Sequence, residues 1–156
     1  MVEKLEFSMQ TIFQLANLEK ECFGRDAWSI AALRGEFGND FSHFFAKKAD
    51  GVIAGYVCVR IMYEECQICN ICVAPKFRRL GYASELLKAV KEFASEEGCE
   101  RCELEVNVSN EPAVGLYKKC DYAVEGVRKN FYRRSRYATR DAYTMVLQLT
   151  KPNVND

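Results

Sequence analysis

The sequence predicts a mixed α/β fold, and three observations predict it. Segments with the two-residue period of strands and the 3.6-residue period of helices follow one another in the order β-α-α-β-β-β-α-β-α-β-β. At 156 residues the chain is the size of one ordinary domain, assigned to residues 1–149, with a disordered tail expected from Thr150. Its composition, 49% hydrophobic and 28% charged, is that of a globular protein, and no repeat or low-complexity linker interrupts it.

Glu3 to Phe7 reads as a short strand. Ser8 then offers a helix cap, with Ile12, Phe13, Ala16 and Leu18 at helical spacing to about Cys22. Phe23 to Trp28 is a loop with Trp28 as its anchor, and Ser29 caps a second helix with Ile30, Leu33 and Phe37 inward. His43 to Lys48 and Val52 to Tyr63 form a hairpin joined at Asp50-Gly51. Glu65 to Val73 is the fourth strand, closed by Pro75, which cannot continue a ladder. A basic loop with one glycine follows, Lys76 to Gly81. Leu86, Leu87, Val90, Phe93 and Ala94 then mark an amphipathic helix that Gly98 stops.

Arg101 to Val106 alternates, with Leu104 and Val106 on one face and Glu103 and Glu105 on the other. Ser109 or Asn110 caps a short helix with Pro112 in its first turn. Ala113, Leu116, Tyr117 and Cys120 share its inner face. Two last strands, about Ala123 to Tyr132 and Ala142 to Leu149, frame a basic loop.

Charge and cysteine content bound the function. The formal net charge is zero, so no direct nucleic-acid role is expected. Arg128, Lys129, Arg133, Arg134, Arg136 and Arg140 nevertheless stand together without an acid. Such a run is either a solvated loop or a docking surface. No apolar run could span a membrane, and Glu3, Lys4 and Glu6 oppose a signal peptide, so a cytoplasmic protein is expected. Of the eight cysteines, Cys66, Cys69 and Cys72 have metal-like spacing, but they lie on one strand without a turn between them. Alternation puts Cys66 and Cys72 on one face and Cys69 on the other. They are read as reduced core residues, with no metal. His43, the only histidine, lies among phenylalanines and is read as structural.

The chemistry lies in Asn70 to Gly98. A strand, a basic glycine loop and a helix N-terminus form an anion-binding geometry, though neither the Walker pattern nor G-x-G-x-x-G is present. Ile71-Cys72-Val73-x-Pro75 followed by Arg78-x-x-Gly81-x-Ala83 resembles the coenzyme A loop of the GCN5-related N-acetyltransferases (GNAT). Glu103-Leu104-Glu105-Val106 with Ser109-Asn110, Ala113 and Leu116-Tyr117 resembles that family's second motif. Gly126 to Tyr132 and Asp141-Ala142-Tyr143-x-Met145 resemble the ending of its RimI-type branch, which acetylates protein N-termini. Asp121-Tyr122 departs from the family's usual Gly-Phe.

The resemblance covers nearly the whole chain and implies a splayed mixed sheet with acetyl-CoA in the opening. It implies backbone contacts from Ile71, Cys72 and Val73 to the acetyl and pantetheine arm. Arg78, Arg79, Leu80, Gly81, Tyr82 and Ala83 would surround the pyrophosphate, and Asn110 would touch the pantetheine. By pattern Glu105 is a solvent-facing carboxylate and Tyr117 a core residue; the resemblance makes them general base and general acid. It places Trp28 beside the acceptor. The acceptor it implies is a protein N-terminus, and the RimI-type ending points to that of a ribosomal small-subunit protein. A neutral fraction near a tenth at pH 7 makes an α-amine an easier nucleophile than lysine. Two other classes stay open: an acetyltransferase of lysine or a small amine, and a non-catalytic acyl-CoA or metal sensor.

Overall fold

A computed structural model describes residues 1–149; the tail expected from Thr150 lies outside the described residues. The elements follow the predicted order: β1 (Val2–Lys4), α1 (Met9–Phe23), α2 (Ile30–Phe37), β2 (Ser42–Ala49), β3 (Val52–Met62), β4 (Glu65–Val73), α3 (Tyr82–Glu96), β5 (Arg101–Asn107), α4 (Glu111–Lys119), β6 (Ala123–Arg128) and β7 (Ala142–Gln148). They build one sheet in the order β1-β2-β3-β4-β5-β7-β6.

The local chemistry explains most boundaries. Ser8 and Ser29 accept from the N–H groups of Thr11 and Ala32, at 3.0 Å each. Each cap is worth about 1 kcal/mol. Asp50 and Gly51 both take positive φ, as a tight hairpin turn requires. Gly98 is left-handed just past the end of α3. Asp121 adopts φ 72°, the conformation for which a glycine is usual, so the expected Gly-Phe is replaced without losing the turn. Tyr122 is buried in the position of the phenylalanine. Three expectations shift. β1 lies nearer the N-terminus than Glu3 to Phe7, and β6 ends at Arg128. Ile30 is 41% exposed rather than inward, because it is the first residue of α2, whereas Leu33 is fully buried and Phe37 stacks on Phe44 of the core.

The positioning feature is a fork in the sheet. β4 and β5 run parallel and pair only from Glu65 to Gln67 against Arg101 to Glu103. Beyond that point neither strand pairs with the other, while β3 holds one prong and β7 the other. The family-implied splay is therefore present.

A bulge in β4 decides which residues face which side. Cys58 pairs with Asn70 and Val59 with Ile68, leaving Cys69 as the extra residue. The insertion reverses the alternation. Cys66 meets Cys102 on the α3 side, whereas Cys72 meets Cys22 of α1 on the opposite side, and Cys69 meets Cys58. The expected shared face of Cys66 and Cys72 is thus corrected. The three thiols turn to three different partners rather than converging, and among the described residues no group of three or more potential ligands could hold a metal.

The core fills both faces. Leu86, Leu87, Val90 and Ala94 of α3 are buried on one, each leucine contributing about 1.5–3 kcal/mol by burial. Ile12, Leu15 and Leu33 of α1 and α2 fill the other. His43 packs edge-on against Phe93 at 4.8 Å, and burial holds its pKa below the usual value, as a packing role requires. Among the described residues no helix is long and apolar enough to cross a membrane.

Candidate active site

Ladder geometry determines which backbone groups face the fork. The Ala74 N–H donates to the Ala54 carbonyl at 2.8 Å, so Gly55 and Val73 are a non-hydrogen-bonded pair. Val73, and by alternation Ile71, therefore turn their own N–H and C=O away from β3 into the opening. Cys72 lies between them and spends its backbone groups on β3. Side-chain contacts agree: Asn70 Oδ1 accepts from the Ile71 N–H at 3.1 Å, and the Val73 carbonyl accepts from Arg78 Nε at 2.9 Å and from the Cys22 thiol at 3.4 Å.

The loop after β4 ends in the start of α3. Arg79 (φ 65°) and Gly81 (φ 82°) are both left-handed, and no side chain caps the helix. The first N–H groups of α3 therefore have no intrahelical acceptor and carry the positive end of the dipole. A Cβ on Gly81 would meet nothing within 4 Å, so space is open above it. This cradle of free amides fits a pyrophosphate. Arg78 is committed through Nε to the Val73 carbonyl and braces the loop against β4.

Between the prongs lies a cleft of about 640 Å³ lined by Ile71, Glu105, Asn110 and Tyr117 among others. Glu105 enters from β5 on the face of α1 and α2. Its side chain is 8% exposed, Arg128 Nε lies 3.6 Å away, and Oε1 is buried without a hydrogen-bond partner. Burial raises its pKa against the pull of Arg128. Tyr117 comes from α4 on the α3 side, where Cys120 lies 3.9 Å from Ser84 and the Tyr122 ring is 6.1 Å from Tyr117. Tyr117 is 8% exposed, and burial first, then Tyr132, push its pKa up, so it stays protonated at neutral pH. Tyr132 lines the cleft with its pKa raised by burial to about 12. Asn110 caps α4 by accepting from the Ala113 N–H at 3.4 Å.

Two connections wall the α1 side. Trp28 lines the cleft, and its backbone N–H donates to Glu19 at 3.0 Å. Opposite, the basic segment between β6 and β7 is tied down by Asn107, whose Nδ2 donates to Ser135 Oγ at 3.0 Å and to the Thr139 carbonyl at 2.8 Å. Arg133, Arg134 and Arg136 line the cleft, and Arg134 Nε reaches within 3.8 Å of Asp26 across its mouth.

Residues 9–122 match the acetyltransferase (GNAT) family. This chain belongs to the GNAT family. A Bacillus subtilis relative is 38% identical over 94 residues, 60% of this chain and 62% of its own length. The N-alpha-acetyltransferase RimI of Mycobacterium tuberculosis is 30% identical over 135 residues, covering 83% of this chain and 82% of that one. The ribosomal protein bS18-alanine N-acetyltransferase of Haemophilus ducreyi is 30% identical over 122 residues, covering 78% and 83%. The solved ribosomal-protein-S18-alanine N-acetyltransferase of Escherichia coli shares the fold, with a TM-score of 0.87 at 21% identity over 100% of this chain and 99% of that one. The chain is accordingly an acetyl-CoA-dependent acetyltransferase.

Of the residues expected at a GNAT site, the cleft brings together Ile71, Glu105, Asn110 and Tyr117. Val73 reaches the fork through its backbone. Cys72 turns its side chain under α1 and its amide to β3. Arg78, Arg79, Leu80, Gly81, Tyr82 and Ala83 form a separate cradle outside the cleft lining. Sequence reasoning missed Glu19, Asn107 and Tyr132 and gave Asn70 no role. Each sits in an ordinary helix, strand or loop pattern, and only the tertiary fold shows its polar partners.

Proposed function

We propose that this enzyme transfers the acetyl group of acetyl-CoA to the N-terminal α-amine of a protein, a ribosomal small-subunit protein being the acceptor class to which the names of its relatives point. One observation carries this reading: a buried carboxylate, ion-paired to Arg128 but with an oxygen free of hydrogen bonds, and a protonated tyrosine line the same cleft. Acetyl-CoA supplies an activated thioester when bound. The free amides of the loop from Arg78 to Ala83 would hold its pyrophosphate, and the backbone of Ile71 and Val73 and the side chain of Asn110 its arm.

Glu105 takes the proton of the incoming ammonium and leaves a neutral amine. The amine nitrogen forms the new bond to the acetyl carbon as the carbon–sulfur bond breaks, Tyr117 gives its proton to the departing sulfur and regains one from the now cationic nitrogen, which becomes the neutral amide, and Glu105 returns its proton to solvent. The Val73 N–H faces the fork, where negative charge develops on the carbonyl oxygen. No cysteine has a histidine partner to activate it, so transfer is direct.

The walls formed by Trp28 and the segment from Phe131 to Tyr137 give the acceptor its approach. An α-amine, partly neutral at pH 7, asks less of one glutamate than lysine does. The test is acetylation of an N-terminal peptide library, read by mass spectrometry, beside the same peptides with blocked N-termini and one internal lysine. Modification of the free N-termini alone is expected. Equal or faster modification of the lysines would overturn the reading.

A further inference from the structure

Glu19 is 0% exposed on the cleft side of α1, and among the described residues no cation neutralises it through a hydrogen bond. Its partners are three donors. The backbone N–H of Trp28 donates to one carboxylate oxygen at 3.0 Å; the Tyr56 hydroxyl and Asn70 Nδ2 donate to the other. The three donors favour its ionised form, while burial opposes them and raises its pKa. Burying such a charge is costly, and an apolar residue would fill the space at lower cost.

The contacts explain what the charge accomplishes. Trp28 begins the wall between α1 and α2, and Asn70 lines the opposite prong of the cleft. Glu19 ties both to one point. It also orients the Asn70 amide: with Nδ2 turned to Glu19, Oδ1 must face the Ile71 N–H, where it accepts at 3.1 Å. The Ile71 N–H is thereby taken up by Asn70, which leaves the Ile71 carbonyl and the Val73 backbone to face the acetyl-CoA arm.

We propose that Glu19 is a positioning residue for the acceptor half of the site, setting the Trp28 wall and the orientation of Asn70. This rests on the acceptor entering from the α1 side. Glu19→Gln keeps the size but turns an NH₂ toward donors, so at least one of the three contacts is lost. Its expected effect is a roughly ten- to a hundredfold loss in kcat/KM for an N-terminal peptide, the range for a hydrogen bond to a charged group. Acetyl-CoA affinity by calorimetry should stay within about twofold of the parent.

Asn70→Ala should cost a comparable factor. The double variant Glu19→Gln/Asn70→Ala should lose no more than the worse single, since the two act through one contact. Thermal unfolding is followed on every sample. If Glu19→Gln does not fold, Tyr56→Phe removes one donor and keeps the ring, and the same acceptor-selective loss is expected on a smaller scale.

Unchanged kcat/KM for the acceptor in a folded variant would overturn the proposal. So would a parallel fall in acetyl-CoA affinity, or losses that multiply in the double variant. A parent that ignores N-terminal amines but uses another amine would refute the proposed acceptor instead; the same comparison on that amine then tests Glu19.

Discussion

Glu105 holds its proton more tightly than a free glutamate because burial penalises its charge, and Arg128 only partly offsets that. A base acts when ionised, so activity should rise with pH through a limb displaced above the ordinary glutamate value. An acid acts when protonated. The raised pKa of Tyr117 places the falling limb above the usual tyrosine range, wherever its proton transfer limits the rate. Glu105→Gln and Tyr117→Phe should each lower kcat by roughly 10²–10⁴-fold with little change in acetyl-CoA affinity. Replacing Arg128 by Met removes the charge that favours the carboxylate, and the rising limb should move to higher pH. Stability reads the same shift with the opposite sign. A carboxyl group whose pKa is raised by folding stabilises fully below its unfolded value, near 4.3, and loses that contribution as pH rises through the folded value. Glu105→Gln, which never ionises, should therefore unfold at a higher temperature than the parent at pH 7 and lose that advantage near pH 4. A parent and variant of equal activity across the pH range would exclude Glu105 as the base.

At the scale of elements, the period of the apolar residues was enough to place the helices and most strands, because caps and turns agree with it. Ser8, Ser29, Asp50-Gly51 and Gly98 all stand where the structure uses them. The bulge at Cys69 was not legible. It has no glycine or other local signal, and it is imposed by pairing with β3. Its effect reaches the site, since it decides that Asn70 and Cys72 face α1. The glycine and arginines of the loop into α3 suggested an anion site, a reading its left-handed Gly81 and uncapped helix start fit, but the side-chain role of Arg78 was not legible. Its guanidinium braces Val73, which only the folded chain shows. Gly81→Val should weaken acetyl-CoA binding by about tenfold or more, because a branched side chain would stand over the free amides and strain a left-handed position. Calorimetry returning the parent's affinity would remove the pyrophosphate from this loop.

For the molecule as a whole, the split between β4 and β5 is the consequential feature. The family motifs implied it, but no periodicity could: both strands read as ordinary strands, and the absence of pairing beyond Gln67 and Glu103 is a property of the assembled sheet. The basic segment from Arg128 to Arg140, ambiguous in sequence between a solvated loop and a docking surface, lies along the cleft. Neutralising Arg133, Arg134 and Arg136 together should raise the KM for a protein acceptor several-fold, more at low salt than at high, and leave acetyl-CoA affinity unchanged. Identical KM values in variant and parent would return the segment to a solvated loop. A sheet fastened at one end of a seam and parted at the other also has two doorways. On the proposed reading, with the pyrophosphate held by the loop before α3 and the acceptor against the Trp28 wall, donor and acceptor would come to one point from separate sides of the sheet. Neither would need to pass the other, so the spent carrier and the acetylated chain would depart independently, and the order of release would be governed by how tightly each doorway holds its own guest.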